Sequence, residues 1–368
     1  PLPYPVVQPL ERDEGIRRYR AMLTPAQYRD RLARGQTADL VPARTVPDGH
    51  RPPVFPVVIR WRQDLSPDVM RLELAAPDDR PLPPFDAGAH IDVVIAPEYQ
   101  RQYSLAGDPA DNSHYVLGVQ REAGGRGGSQ LMHRIFREGR RIFISEPRNH
   151  FPLDEGASLS LLMAGGIGVT PMITMAHRLH ALGRPFALHY SAATREGGGF
   201  AGILQDMPWA DRVRCHFSRE NGRADLSAAI PAYAPGMKLY TCGGDRYMQG
   251  VFDAAQANGW PDEALSREYF TTPELPDYVN APFQLELAKS GRTIPVPADQ
   301  SATEALARAG IHIPTKCSDG ICGVCASDYL GGEIEHRDFV LSAEERKSRV
   351  VLCCSRARDA GGTIRLNL

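Results

Sequence analysis

The chain has 368 residues, 42% hydrophobic and 23% charged, which is enough to bury two or three cores. Its formal net charge of −2 excludes a nucleic-acid-binding surface as its main business, and it holds no run of ~18 apolar residues for a membrane span. The opening PLPYPVVQPLERDEGIRRY lacks the apolar centre of a secretory signal, so a cytoplasmic protein is expected.

Residues 1–53 differ from the rest: they hold nine arginines, no lysine and several prolines. Within them TPAQYRDRLARG predicts a short helix, with Thr24 as N-cap, Pro25 at the first position, Gln27 closing a capping box and Gly35 as the stop. This stretch reads either as an extension laid on the body of the protein or as a docking arm for a partner. From Val54 the pattern changes to period two. VFPVVIRWRQ, VMRLELAA, AHIDVVIA and HYVLGVQRE alternate like antiparallel strands, with Gly and Pro between them. About six such strands in roughly 95 residues predict a small antiparallel barrel.

From Leu159 the pattern changes again. SLSLLMA reads as a buried strand, GGIGVTPMITMAHRLHALG as a turn and helix, and FALHYSAA and KLYTCGGD as later strands. Strands alternating with helices predict a parallel, doubly wound sheet. REYFTTPELPDYVNAP is a Pro-rich linker. Beyond it FQLELAKSGRTIPV predicts a hairpin turning at Gly291, and SATEALARAG a short helix. Histidines 177, 180, 189 and 216 fall on predicted helix or strand and read as structural.

Four motifs carry chemistry. RQYSL offers Arg101 to pair with a phosphate, Tyr103 to lie against a flat ring system and Ser104 to hydrogen-bond its polar edge. GRGGS opens a helix at Gly127, Gly128 and Ser129, where unobstructed backbone amides suit a phosphate. Read structurally, the two are a strand end and a helix cap. GGIGVTP follows a strand and opens a helix, as a pyrophosphate-binding turn does, through Gly166, Gly168, Thr170 and Pro171. The fourth motif is KCSDGICGVC, in which Cys317, Cys322 and Cys325 are spaced C-x4-C-x2-C. Cys353 and Cys354 follow 28 and 29 positions after Cys325. Four thiolates hold a [2Fe–2S] cluster at this spacing, or structural zinc, and Gly320 and Gly323 let backbone amides turn toward the sulfurs. VLCCSRA reads as strand, so its adjacent cysteines point to opposite faces and only one faces the cluster. Spacing does not choose between them.

The segment CSDGICGVC…CCSRA resembles plant-type ferredoxin domains. Together with RQYS, GRGGS and GGIGVTP upstream, the chain resembles the phthalate dioxygenase reductase family over residues 54–368. The resemblance implies an antiparallel flavin-binding barrel at 54–156, a doubly wound NAD(P)-binding domain at 157–276 and a β-grasp ferredoxin domain at 282–368, preceded by the extension 1–53. It implies FMN held by Arg101, Gln102, Tyr103, Ser104, Val119, Arg121, Gly127, Gly128 and Ser129. It implies nicotinamide dinucleotide at Gly166, Gly168, Thr170, Pro171, Arg195, Cys242 and Gly243, with Phe270 near the flavin. Cys242 is implied beside the reacting carbon, with Ser104 and Thr170 as catalytic groups; read structurally, Cys242 is a core cysteine. CGGDRYM departs from the family's C-G-P-x-x-M at Gly244. The resemblance also chooses Cys353 as the fourth cluster ligand beside Cys317, Cys322 and Cys325. Such proteins take a hydride from NAD(P)H and release electrons singly through the cluster to an oxygenase. NADH is favoured over NADPH, and Arg195 is the residue that would answer to a 2′-phosphate. The expected partner is a Rieske-type oxygenase, the alternative a haem-thiolate monooxygenase. A ferredoxin-like redox sensor or binding module is the reading from another class. No nucleic acid or membrane partner is expected, and the isolated chain is expected to be a monomer.

Overall fold

The structure, a computed structural model, describes residues 54–96, 99–124, 127–271, 278–315, 317–341 and 344–368. The helix expected at Thr24–Gly35 and the first two residues of GRGGS lie outside them. Two compact units divide the described chain, one ending at Arg267 and the other running from Glu268 to Leu368.

The first unit begins with six antiparallel strands: β1 (Val54–Ser66), β2 (Val69–Ala75), β3 (His90–Ala96), β4 (Tyr99–Ser104), β5 (Tyr115–Gln120) and β6 (Arg141–Ser145). They order as β4-β3-β6-β1-β2-β5. A bridge between Leu105 and Leu117 joins the two edges, so the sheet closes into the expected barrel. The period-two pattern explains the inside. Ile91, Val93 and Ile95 point inward from β3 and are fully buried with Leu72, Leu74, Leu117 and Ile144. β1 reaches two neighbours, pairing with β6 through Val54–Val58 and with β2 beyond, and an irregularity between Ile59 and Trp61 bends it around the barrel. One helix, α1 (Gly128–Ile135), packs on β3 and β4.

The same unit continues into a second sheet of β7 (Leu159–Gly165), β8 (Phe186–Ala192), β9 (Val213–Phe217), β10 (Met237–Cys242) and β11 (Leu265–Glu268), ordered β11-β10-β7-β8-β9. The β10–β7, β7–β8 and β8–β9 pairs are parallel. β7 is apolar without alternation because both its faces are covered. Leu162 and Ala164 join one core, with α2 (Val169–Ala181), while Leu161 and Met163 join the other, with α3 (Asp245–Ala257). Truncating a side chain such as Leu162 there costs ~2–5 kcal/mol. Barrel residues Val69, Ala106, Val116 and Phe151 belong to the first of these cores.

The second unit holds β12 (Phe283–Leu287), β13 (Thr293–Val296), α4 (Ala302–Arg308), β14 (Ala326–Gly331), β15 (Ile334–Glu335), β16 (Arg349–Val351), β17 (Arg356–Ala357) and β18 (Thr363–Leu366). β12 and β13 form the expected hairpin, with Gly291 in the left-handed region at φ +66°. β12 lies parallel to β18, and the sheet β13-β12-β18-β14-β16 carries α4, the arrangement of a β-grasp domain. A reciprocal box caps α4: the Ser301 hydroxyl accepts from Glu304 N–H, and the Glu304 carboxylate accepts from Ser301 N–H. Two buried arginines fasten the residues before β12. Arg337 stacks on Tyr278 at 4.1 Å and donates to Asn280, while Arg356 donates to the Ala281 carbonyl.

One expectation is overturned here. The strand carrying VLCCSRA stops at Val351, and Leu352, Cys353 and Cys354 form a turn. Its hydrogen bonds run from Leu352 N–H to the Cys325 carbonyl at 3.3 Å and from Ser355 N–H to the Val351 carbonyl at 3.0 Å. The opposite-face argument for the adjacent cysteines therefore does not apply. Strand pairing gives way because the chain must bend to bring Cys353 to the loop of Cys325.

Candidate functional site

The first half of the site is built on β4 and α1. Arg101 and Tyr103 share one face of β4, while Gln102 and Ser104 share the other. α1 begins at Gly128 with no side-chain cap and no acidic residue in its first turn; its N-cap, Gly127, has φ +88°. A Cβ on Gly128 would lie 3.4 Å from Arg101 Cγ and Nε. A guanidinium thus lies against a helix N-terminus whose own amides are not answered by a side chain, which is the chemistry of a phosphate cradle. The residues fit a flavin phosphate at this point. Burial pushes the half-buried Tyr103 hydroxyl well above the usual phenol range, so its ring stays neutral and available for stacking. The Ser129 hydroxyl accepts from Glu122 N–H at 3.0 Å. Val119 is fully buried in the barrel and its carbonyl meets His133 Nε2 at 3.0 Å; Arg121 pairs with Asp68.

The second half lies at the C-terminal ends of β7 and β10. The strand order reverses here, since β8 follows β7 on one side and β10 lies on the other, and open α/β sheets bind ligands at such a crevice. Three glycines let the two loops touch. A Cβ on Gly168 would lie 2.2 Å from the Cys242 carbonyl oxygen, one on Gly165 2.7 Å from the Tyr247 ring, and one on Gly243 3.0 Å from Gly165 Cα. α2 opens here, again with no side-chain cap and no acid in its first turn, so the turn Gly165–Gly168 fits a pyrophosphate. Thr170 and Pro171 lie buried in that first turn, and Thr170 donates to the Ile167 carbonyl at 3.0 Å. Gly118 on β5 shows how close the barrel comes, since a Cβ there would lie 2.7 Å from Thr170 Cγ2. The Cys242 side chain is fully buried in the sheet's core, so the loop presents its backbone. Farther along, the Arg195 guanidinium stacks on Phe217 at 4.7 Å, and Arg195 N–H donates to Glu220 at 2.6 Å. Phe270 belongs to the second unit and is 37% exposed.

The third element is the thiol loop. Cys317 is within hydrogen-bond reach of Cys322 and Cys353, and Cys353 in turn of Cys325 and Cys354. Hydrogen bonds from Cys322 and Cys353 hold the Cys317 thiol far below its usual range, and one from Cys353 lowers Cys325; the donors Cys322 and Cys353 are pushed up. Among the described residues no three or more His, Cys, Asp or Glu are arranged to hold a single metal ion. The four sulfurs form a chain of neighbours, and a binuclear cluster takes its thiolates spread over two irons. Ser318, Gly320 and Gly323 all have positive φ, which folds the loop back on itself, and Asp319 N–H donates to Cys317 Sγ at 3.4 Å. Gly320 has no room for a side chain: its Cβ would lie 2.7 Å from Cys354 Sγ and 3.2 Å from Asp338 Cα. These features fit an iron–sulfur cluster. Behind the loop the buried Asp338 carboxylate accepts from Leu341 N–H at 2.9 Å and faces Arg346 and His336.

Two groups escaped the sequence reading. Tyr247 packs on Gly165, and burial pushes its hydroxyl up to about 12. The polar face of β3, with His90 and Asp92 alternating against Ile91 and Val93, backs the strand Arg101–Ser104. The signal for the second was present: two polar residues, His90 and Asp92, two positions apart in an otherwise apolar strand.

A barrel with a phosphate cradle, a parallel sheet with a pyrophosphate turn and a thiol-bearing β-grasp domain together define a flavin–iron–sulfur oxidoreductase. Comparison with known proteins agrees. Residues 285–358 match the family described as 2Fe-2S iron-sulfur cluster binding domain, a span that includes all four thiols of the loop site. The chain is 42% identical to vanillate O-demethylase oxidoreductase of Pseudomonas sp. (strain HR199 / DSM 7063), over 83% of this chain and 97% of that protein. The crystal structure of phthalate dioxygenase reductase aligns at a TM-score of 0.62 and 34% identity, covering 86% of this chain and 98% of that one. An intact type IV self-sufficient cytochrome P450 monooxygenase aligns at a TM-score of 0.82 and 33% identity over 91% of this chain, which spans 44% of that longer protein. The chain belongs to the phthalate dioxygenase reductase family, and it is an electron-transferring reductase of an oxygenase system.

Proposed function

We propose that the chain carries electrons from NADH, through FMN and one [2Fe–2S] cluster, to a Rieske-type terminal oxygenase. The observation that carries this reading is the meeting of Arg101 with the uncapped start of α1, because it answers a terminal phosphate. The division follows the sites: 1–53 as extension, 54–156 for FMN, 157–276 for the nucleotide and 282–368 for the cluster. Bound flavin supplies the exchange between paired and single electrons. The protein's own residues position and insulate. Arg101 and the amides of Gly128 and Ser129 hold the phosphate, with Gln102 and Gly127 beside them. Tyr103 and Ser104 orient the ring. Gly166, Gly168, Thr170 and Pro171 seat the pyrophosphate, and Cys242 and Gly243 bound the nicotinamide. Arg195 meets the adenosine ribose; its stacking on Phe217 supports NADH, because the guanidinium is already engaged. Cys317, Cys322, Cys325 and Cys353 hold the cluster.

The names of two matched proteins, an O-demethylase oxidoreductase and a dioxygenase reductase, support an oxygenase partner. The P450 alignment favours one alternative, delivery to a haem-thiolate monooxygenase. A cytoplasmic location and a monomeric isolated chain belong to the same proposal; among the described residues no helix is long and apolar enough to cross a membrane. Acid extraction of the pure protein tests the cofactor reading: FMN is expected, and FAD in the extract would overturn it. Turnover with each class of oxygenase, reconstituted with NADH or NADPH, tests acceptor and nucleotide together.

A further inference from the structure

We propose that Asn221 is a self-modifying site: its side-chain amide condenses with the Gly222 backbone nitrogen and is converted to a carboxylate at the edge of the nucleotide sheet, where it disfavours a 2′-phosphate. The modification itself rests on local geometry. Its consequence rests on the reading of Arg195 as the residue that meets the adenosine ribose.

The sequence holds two Asn-Gly pairs, Asn221-Gly222 and Asn258-Gly259, and the structure separates them. Asn221 ends a single helical turn, Ser218–Asn221, and both it and Gly222 are exposed. Among the described residues neither the Asn221 side chain nor the Gly222 N–H has a hydrogen-bond partner. Gly222 has φ +80°, and a Cβ there would meet no atom within 4 Å. The nitrogen is therefore unhindered, and its backbone is free to turn toward the side chain. Asn258 is held instead. Its Nδ2 donates to the Ser227 and Ile230 carbonyls at 3.1 and 2.6 Å, and Gly259 N–H donates to the Gln256 carbonyl at 3.0 Å. Condensation there must first break these bonds.

The chemistry needs only water. The Gly222 nitrogen gives its proton to solvent and bonds to Asn221 Cγ, and the side-chain nitrogen takes up a proton and leaves as ammonia. Water then opens the cyclic imide at either carbonyl, giving Asp or its β-linked isomer. One water is consumed, one ammonia is released and nothing is oxidised. Either product carries a negative charge where a neutral amide stood. The segment is tied to the loop after β8: Glu220 accepts from Arg195 N–H at 2.6 Å, and Arg219 N–H donates to the Ala193 carbonyl at 2.9 Å. A further carboxylate one residue from Glu220 repels a 2′-phosphate and leaves a ribose hydroxyl almost untouched.

The test ages full-length protein at mildly alkaline pH in heavy-oxygen water, followed by peptide mapping. The Asn221 peptide is expected to gain a labelled carboxylate at least about tenfold faster than the Asn258 peptide, the factor that about 1.4 kcal/mol of hydrogen bonding sets. Asn221→Gln, whose longer side chain closes a ring poorly, should stay unlabelled at this position. Asn221→Asp copies one product. Its KM for NADPH, relative to that for NADH, should rise about threefold at low salt, as like charges a few ångströms apart in water require, and the rise should fade with added salt. No labelling at Asn221, or labelling no faster than at Asn258, overturns the site. An unchanged NADPH-to-NADH ratio in Asn221→Asp overturns its effect on the nucleotide. Failure of both nucleotides to reduce the wild type would overturn the underlying reading, an outcome distinct from these.

Discussion

Cys353 and Cys354 are adjacent in sequence and unequal in place. Cys353 sits within reach of Cys317 and Cys325, whereas the Cys354 thiol leans 3.8 Å from the Val351 carbonyl and against Gly320. Cys353→Ala is therefore expected to lose the visible and electron paramagnetic resonance signals of the cluster while flavin reduction by NADH survives. Cys354→Ala should keep both signals, and the reverse pattern would move the ligand by one residue. Cys242 poses a different question, because its side chain is wholly buried while its carbonyl touches the nucleotide turn. Cys242→Ala is expected to slow hydride transfer by ~10–100-fold through a misplaced ring, with flavin content unchanged. A fall in Tm without a kinetic change would return the residue to the core. Sequence alone left these two cysteine questions open, since both depend on which neighbour a side chain meets in space.

At the scale of elements, the turn between β7 and α2 must lie against the end of β10. Gly168→Ala would drive a methyl group into the Cys242 carbonyl 2.2 Å away, which is backbone and cannot swing aside. Reduction by NADH is expected to fall at least tenfold, comparable to a 1.4 kcal/mol misplacement, while dithionite still reduces flavin and cluster. Equal NADH rates in wild type and variant would place the dinucleotide elsewhere. At the outer edge of the same sheet, His189 on β8 and His216 on β9 meet nitrogen to nitrogen at 3.1 Å. Burial, then the charges of His216 and Arg214, push the His189 pKa down from 6.5 to about 4. The folded state therefore binds this proton less well than the unfolded one. The contribution is complete above pH 6.5 and is lost as pH falls toward 4. The drop in stability between pH 7 and pH 4.5 should be smaller in His189→Gln, by about 1 kcal/mol after allowing for the water that reaches the rings. Parallel melting curves for the two proteins would disprove the assignment.

For the whole molecule, all cofactor motifs lie beyond residue 53. Deleting residues 1–50 is expected to leave NADH-driven reduction of ferricyanide close to that of the full chain, because no cofactor motif lies among them. Loss of flavin from the truncated protein would make the extension part of the body. The sequence by itself determined three kinds of unit, because each rests on a local rule: period two for the barrel, strand–glycine turn–helix for the nucleotide sheet and cysteine spacing for the cluster loop. Backbone geometry enforces those rules within a few residues, so they survive without knowledge of neighbours. The tertiary structure alone decided what long-range contacts impose. It bent VLCCSRA out of its strand so that Cys353 meets a loop 28 residues earlier in the chain. It turned Arg121 toward Asp68 and sank Val119 into the barrel. It set His90 beside Ser104, 14 residues apart, because antiparallel register is fixed by the pairing of whole strands and not by either one alone.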